Sequence, residues 1–138
     1  MKDLTKRKKR KETLPGLKKK AWTIFSRVVR QSYADDQGYC RCVTCRRSAP
    51  WKEMDAGHFV AKNRGGALWF DFRNVHPQCR HCNLYLRGNL IAYTRFIYET
   101  YGIDEVARLE SLAGPYKRTR ADYHDLIEHF KTCEDEIK

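Results

Sequence analysis

Two closely spaced cysteine pairs constrain this chain more than any other feature. Cys42 and Cys45 form one C-x2-C pair, Cys79 and Cys82 form a second, and 33 residues separate Cys45 from Cys79. A C-x2-C turn presents two thiolates to one ion, and two such turns complete a tetrahedral zinc site. The separation exceeds the roughly 15–20 residues of common zinc ribbons, so we expect an additional structural element between the pairs. The sequence therefore predicts a structural Zn²⁺ bound by the four cysteines.

The size of the chain and its expected compartment support this prediction. The charged N-terminus has no apolar segment behind it, and no run approaches the roughly 18 apolar residues that span a bilayer. We expect a cytoplasmic protein, in which paired cysteines bind metal more often than they form disulfides. A chain of 138 residues buries only a modest core and benefits from a metal. Cys40 and Cys133 do not fit the spacing and are interpreted as free thiols, although Cys40 stays open as a substitute ligand.

Positive charge is concentrated at the start of the chain. The net charge is +11, and residues 1–20 contain ten Lys or Arg against two acids. This distribution is typical of nucleic-acid-binding proteins, because cationic groups displace counterions from phosphates. We therefore expect a nucleic acid, and not a membrane, as the partner. Residues 1–16, which end in a Pro-Gly pair, are predicted to form a disordered basic arm, and residues 17–138 a single zinc-stabilised domain.

Hydrophobic spacing predicts an α+β fold with helices at both ends. Apolar residues at helical spacing indicate a first helix over about 17–34 and a last helix within 119–138. Short extended stretches are expected near 55–60 and around Phe70, between the cysteine pairs. The segment after the second pair is expected to be helical from its first residues, loosened at Gly88.

Three histidines lie inside or beside the cysteine frame. His58, in a short apolar stretch, is on its own most simply interpreted as a packed histidine in a strand. His76 precedes a proline, and we expect a structural or phosphate-contacting role for it. His81 lies between the two cysteines of the second pair, where an exposed polar residue is usual.

A second pattern overlies the cysteines. "GHF" at 57–59 is followed by "NVHPQC" from Asn74 and by Asn83 directly after Cys82. These segments resemble the HNH nucleases, in which a β-hairpin and a helix close on a metal ion, often braced by a four-cysteine zinc site. With "AWTIFSRVVR" and "CVTC", they are also similar to the bacteriophage NinG (Rap) recombination family over about 20–130. The resemblance implies a small ββα-metal (HNH) core, with flanking helices, in a phage or prophage protein of the bacterial cytoplasm.

The HNH resemblance assigns three catalytic roles. His58 matches the general base, which accepts the proton of the attacking water at neutral pH. Asn74 matches the central asparagine that braces the loop and orients the histidine. Asn83 matches the last position, a ligand of a catalytic Mg²⁺ or Mn²⁺, which would stabilise charge at the phosphate.

One position departs from the HNH pattern. Gly57 stands where most HNH enzymes carry an acidic metal ligand directly before the base. Asp55 is the nearest carboxylate and our candidate second ligand of the divalent ion, with Asp71 as another. On a regular strand Asp55 and His58 face opposite sides, and a bulge at Gly57 would correct this.

These features predict a metal-dependent DNA endonuclease, specific for branched or recombination intermediates such as Holliday junctions. The departure at Gly57 keeps a second class open, a zinc-stabilised DNA-binding accessory protein that does not cut. RNA binding through the cysteine turns and the arm is a third interpretation. The pseudo-symmetry of a junction favours a homodimer, although no coiled-coil pattern is visible.

Overall fold

The computed structural model describes residues 12–137. The first helix, α1 (Leu14–Ser32), is capped by Thr13, whose hydroxyl accepts the Gly16 N–H at 3.1 Å. It begins three residues earlier than predicted, because proline in the first helical turn lacks only an N–H that would have no partner there. Residues 14–16 thus belong to the helix and not to the arm, and the rest of the predicted arm, up to residue 11, lies outside the described residues.

The last helix, α4 (Arg120–Ile137), packs along α1. Contacts of Arg120 with Glu12 and of Arg27 with Glu134 show that the two helices run in the same direction. The buried face of α1 repeats every three or four residues, as its periodicity predicted. It packs with α4, Phe70 and Val75 into the first hydrophobic cluster, whose α1 members are Leu17, Ala21, Ile24, Phe25, Val28 and Val29.

Two antiparallel hairpins follow α1. Strands β1 (Tyr39–Arg41) and β2 (Ser48–Pro50) form the first, and the turn that joins them carries the first cysteine pair. Strands β3 (Asp55–His58) and β4 (Val75–Gln78) form the second. The expected extended stretch around Phe70 was wrong, because this segment forms turns that bury Phe70 against α1 and α4.

The segment after the second cysteine pair is not one long helix. A short π-helical turn over His81–Tyr85 carries Asn83, and the chain then breaks at Arg87, Gly88 and Asn89, which all have positive φ. Helix α2 starts only after this break. The predicted break at Gly88 is therefore confirmed, and Asn83 lies on the first helical turn as expected, although this turn is π-helical.

Helices α2 (Leu90–Tyr101) and α3 (Glu105–Ser111) pack on the other side of the β3–β4 hairpin. Their core holds the segment that leaves β3, so this hairpin lies between two hydrophobic clusters. The buried members of the second cluster are Val43, Phe59, Val60, Leu68, Tyr93, Ile97 and Leu109. The fold is a mixed α+β arrangement, and within residues 12–137 no helix combines the length and apolar character needed to cross a membrane.

Candidate functional site

The four predicted zinc cysteines come together where the turn of the first hairpin meets the end of β4. The sulfur atoms of Cys42, Cys45, Cys79 and Cys82 all lie within 4.8 Å of one another, and those of Cys45 and Cys79 are 3.7 Å apart. Four thiolates at about 2.3 Å from one zinc ion are about 3.8 Å apart, so the set fits a tetrahedral site. The cluster could hold a metal ion, and thiolate donors favour zinc.

The surroundings of the cluster favour a thiolate at Cys42 and disfavour one at Cys45. Backbone N–H groups of Cys45 and Cys82 donate to the sulfurs of Cys42 and Cys79 at 3.5 and 3.4 Å. Burial raises the pKa of the Cys42 thiol, but hydrogen bonds from Thr44 and from backbone N–H groups outweigh it and lower this pKa to about 6. Burial raises the pKa of Cys45 to about 12, so a cation is needed to hold all four residues as thiolates.

The two remaining cysteines stay apart from the cluster. Cys40 is buried in β1 opposite Ala49, and its sulfur lies 3.7 Å from the carbonyl oxygen of Arg41. Cys133 lies on α4, where its sulfur is 3.7 Å from the Nε2 atom of His129. The cluster of potential ligands among residues 12–137 contains neither of them.

His58 lies at the end of β3 between two tryptophans. Its Nε2 donates to the Trp69 carbonyl oxygen at 3.0 Å, which leaves Nδ1 as the proton acceptor. Its ring stacks on Trp22 at a centroid separation of 5.1 Å and borders a surface cavity of about 490 Å³. Burial lowers the pKa of His58 to about 4, so the ring is neutral at pH 7.

Asn74 is fully buried and clamps the loop that connects β3 to β4. Its Oδ1 accepts the Val60 N–H at 2.8 Å, and its Nδ2 donates to the carbonyls of Val60 and Leu68 at 3.1 and 3.2 Å. Trp69 follows directly, so the clamp sets the position of the carbonyl that holds His58. Asn74 thus acts on His58 through the backbone and does not contact the cavity itself.

Asp55 and Asn83 form a pair beside a second surface cavity, of about 380 Å³. The Asn83 Nδ2 donates to Asp55 Oδ2 at 3.2 Å. The register of β3 with β4 is regular, so Asp55 and His58 face opposite sides, as expected for a regular strand, and no bulge at Gly57 brings them together. Both cavities are nevertheless bordered by Asn83 and Lys62, which connect the two sides.

The other residues that the sequence analysis singled out lie outside this pair of cavities. Asp71 accepts the Arg73 N–H at 2.7 Å in the turn before β4, and it borders neither of the cavities at Asn83. His76 is fully buried between the hydroxyls of Tyr93 and Tyr101, at 2.9 and 2.7 Å, so it has a structural role and no access to a phosphate. His81 is exposed, as expected.

The cavities are lined by cationic side chains. Lys62 Nζ lies 4.5 Å from the centre of the Trp22 ring and 5.3 Å from that of Trp69, which brings an ammonium group close to His58. The other basic residues at the two cavities are Arg30, Lys52, Arg80 and Arg87. A histidine, an acid–amide pair and several cations therefore share one region of the surface.

A comparison with known protein families decides the relationship of the chain. The family model described as Bacteriophage Lambda NinG protein matches residues 1–138. The chain belongs to the NinG family. The sequence-based resemblance to this family is thereby confirmed, whereas the assignment as an HNH nuclease stays a prediction.

Curated relatives in the NinG family are proteins of bacteriophages. Protein ninG of Salmonella phage P22 is 40% identical over 72 residues, and its counterpart in Escherichia phage lambda is 36% identical over 72 residues. In both cases the match covers 51% of this chain and 34% of the relative. The chain thus spans about a third of the length of the curated relatives it matches. No solved structure matches the chain significantly.

The sequence reasoning missed several residues of this NinG-family site. Trp22 and Trp69 enclose His58, and Lys62 Nζ lies over both rings. Trp22 belongs to a segment that carried the family resemblance, but no motif marked Trp69 or Lys62. Gln78 is fully buried next to Gly57. Its position directly before Cys79 was the available signal, since a buried polar residue beside a metal site often orients a ligand.

Proposed function

We propose that this protein is a metal-dependent DNA endonuclease that hydrolyses phosphodiester bonds, with branched recombination intermediates as its substrates. The observation that carries the proposal is the setting of His58, a neutral imidazole whose Nε2–H is held by the Trp69 carbonyl. His58 also borders a cationic cavity that Asn83 lines. In this proposal the β3–β4 hairpin and the following π-helical turn act as the ββα-metal core.

His58 would act as the general base. Its Nδ1 takes the proton from the attacking water, and the imidazolium that forms is stabilised by the same Trp69 carbonyl. The Asn74 clamp keeps this carbonyl in place, so Asn74 is a positioning residue. Lys62, between the two cavities, is placed to bind a substrate phosphate.

The donors beside His58 suit a hard divalent ion. Asp55 and Asn83 offer a carboxylate and an amide oxygen, which Mg²⁺ and Mn²⁺ prefer, while the thiolates of the cysteine cluster suit zinc. An ion bound there would stabilise negative charge at the phosphate and at the departing oxygen. The fit is supported by the 3.2 Å contact between Asn83 and Asp55, which places their side chains together.

Cleavage assays test this proposal directly. Purified protein with Mg²⁺ or Mn²⁺ is expected to cut a four-way DNA junction faster than a linear duplex, and His58→Ala is expected to lower the rate at least about 100-fold. His124→Ala, at an exposed histidine on α4, is the matched control and should cut normally. Equal cutting by His58→Ala, or no cutting by the wild type, would contradict the proposal. Tight DNA binding without cutting would instead support the non-catalytic accessory role.

A further inference from the structure

Gln78 carries a buried amide oxygen that the fold does not satisfy. The side chain is fully buried at the end of β4, and its Oε1 has no hydrogen-bond partner among residues 12–137. Leaving a buried polar atom without a partner is unfavourable, so such an atom points to a ligand, an ion or a water.

The orientation of this amide is set by its other end. The Gln78 Nε2 donates to the Gly88 carbonyl at 2.9 Å and to the Thr44 hydroxyl at 3.2 Å. Since a carbonyl oxygen only accepts hydrogen bonds, the NH₂ group must face Gly88. The Oε1 atom is therefore held towards Gly57 and cannot exchange places with the nitrogen.

Gly57 leaves the space that this oxygen occupies. A Cβ atom at residue 57 would lie 1.9 Å from Gln78 Oε1 and 3.1 Å from Asn83 Oδ1. Two amide oxygens thus approach one point from opposite elements. The carboxylate of Asp55 is on the same face of the hairpin, because Asp55 is the direct cross-strand partner of Gln78 and also contacts Asn83.

We propose that Gln78 Oε1 is a third protein ligand of a divalent cation, together with Asn83 and Asp55. The inference rests on the proposed function, since it concerns the same ion. Three hard oxygen donors with one negative charge match Mg²⁺ or Mn²⁺, which complete their shells with water or substrate oxygens. Gln78 on β4 then supplies the metal ligand that a glycine at position 57 of β3 cannot provide.

Manganese titration of the zinc-loaded full chain tests this assignment without any cleavage. Bound Mn²⁺ is counted from the loss of the free-ion EPR signal, and its position is read from paramagnetic broadening of side-chain amide NMR signals. We expect the signals of Gln78 and Asn83 to broaden first. Gln31, whose Oε1 is also buried without a partner among the described residues, is the internal control, because it lies near the end of α1 and is not among the side chains next to Gly57.

Variants on β3 and β4 test whether Gln78 itself binds the ion. Gln78→Ala is expected to weaken Mn²⁺ binding at least about tenfold, and adding Gly57→Asp in the space vacated by Gln78 should restore it. Gly57→Ala alone should also weaken binding, because its methyl group displaces the Gln78 amide. Zinc content, measured by a colorimetric release assay, reports whether each variant keeps its fold.

The outcomes distinguish this inference from the proposed function. Unchanged Mn²⁺ affinity in a zinc-containing Gln78→Ala protein would overturn the inference and assign the oxygen to a buried water. The inference would also be overturned if, in the wild type, Mn²⁺ broadened the amide signal of Asn83 but left that of Gln78 sharp. This result does not depend on the folding of any variant. Cutting activity that persists in either case leaves the nuclease proposal standing, whereas a wild type that binds no Mn²⁺ contradicts both.

Discussion

His76 shows how one buried side chain can tie the hairpin to the helices beside it. The hydroxyl of Tyr93 donates to the Gly57 carbonyl at 2.7 Å, so it accepts from His76 Nδ1–H, and His76 Nε2 accepts from Tyr101. These bonds fix the neutral tautomer of the imidazole. They also link β4 and α2 to the backbone of Gly57, where the candidate ion site is located.

The buried histidines make stability dependent on pH. Burial lowers the pKa of His58 to about 4 and that of His76 to about 3, whereas a histidine in an unfolded chain titrates near 6.5. Between these values the unfolded chain binds protons that the folded chain does not. The stabilising effect of neutral burial is therefore complete above about pH 6.5 and is lost as the pH falls towards the folded values.

We predict that acid destabilises the wild type more steeply than His76→Gln. Glutamine can bond to a tyrosine hydroxyl but does not titrate. Between pH 6 and 4.5 the free energy of unfolding should therefore fall less steeply in the variant than in the wild type, and the two slopes should differ by up to about 1.4 kcal/mol per pH unit. Urea unfolding at several pH values measures both slopes. Loss of zinc in acid affects both proteins alike, and equal slopes would show that His76 accepts a proton in the folded state.

At the scale of elements, the two cysteine turns bring the first hairpin against the end of the second. The first turn ends β1 and the second follows β4, so an ion bound by all four thiolates would tie the two hairpins together. Asn89, which ends the chain break before α2, donates to Cys82 Sγ at 3.6 Å and connects that helix to the cluster.

We predict that Cys79→Ser abolishes zinc binding and lowers Tm by more than about 10 °C, because the energy of binding a structural zinc contributes directly to folding. Cys133→Ser, in a cysteine on α4 outside the cluster, is the matched control and should retain one zinc per chain. The measurements are zinc release and thermal unfolding followed by circular dichroism. A Cys79→Ser protein that melts like the wild type would argue against the four-cysteine site.

The elements differ in how well they could be predicted. Helix α1 was found to within three residues, because the burial of one helical face repeats in the sequence. Strand β4 was missed, since all four of its residues are buried and one of them is proline, which removes the alternation of a half-exposed strand. The apolar residues near Phe70 suggested a strand, but they are buried by packing between α1 and α4.

At the scale of the whole molecule, positive charge accumulates in two places. Residues 1–11 contain seven Lys or Arg and one acid, and a second group of cations lines the cavities beside His58. Cations in both places can contact phosphates, and those at the cavities lie near the groups proposed for catalysis.

We predict that deleting residues 1–11 weakens binding to all DNA sequences alike and flattens its dependence on salt. Each phosphate contact that is lost removes about one released counterion from the slope of log K against log salt concentration. Fluorescence anisotropy at several salt concentrations measures this slope. Lys62→Ala, which removes one cation that lines both cavities, serves as the comparison. This variant should lower the rate of cleavage more than the affinity for DNA. An unchanged slope in the deletion protein would show that the segment does not contact DNA.

The sequence by itself determined which four cysteines form the cluster, the buried face of α1 and the membership in the NinG family. These features depend on residue type and on spacing along the chain, which a metal-binding turn or a helix translates directly into geometry. Only the tertiary structure decided that the Trp69 carbonyl holds His58, that His76 is inaccessible and that Gln78 occupies the space beside Gly57. Such contacts depend on strand register and on loops that close over long separations, and no local pattern records them.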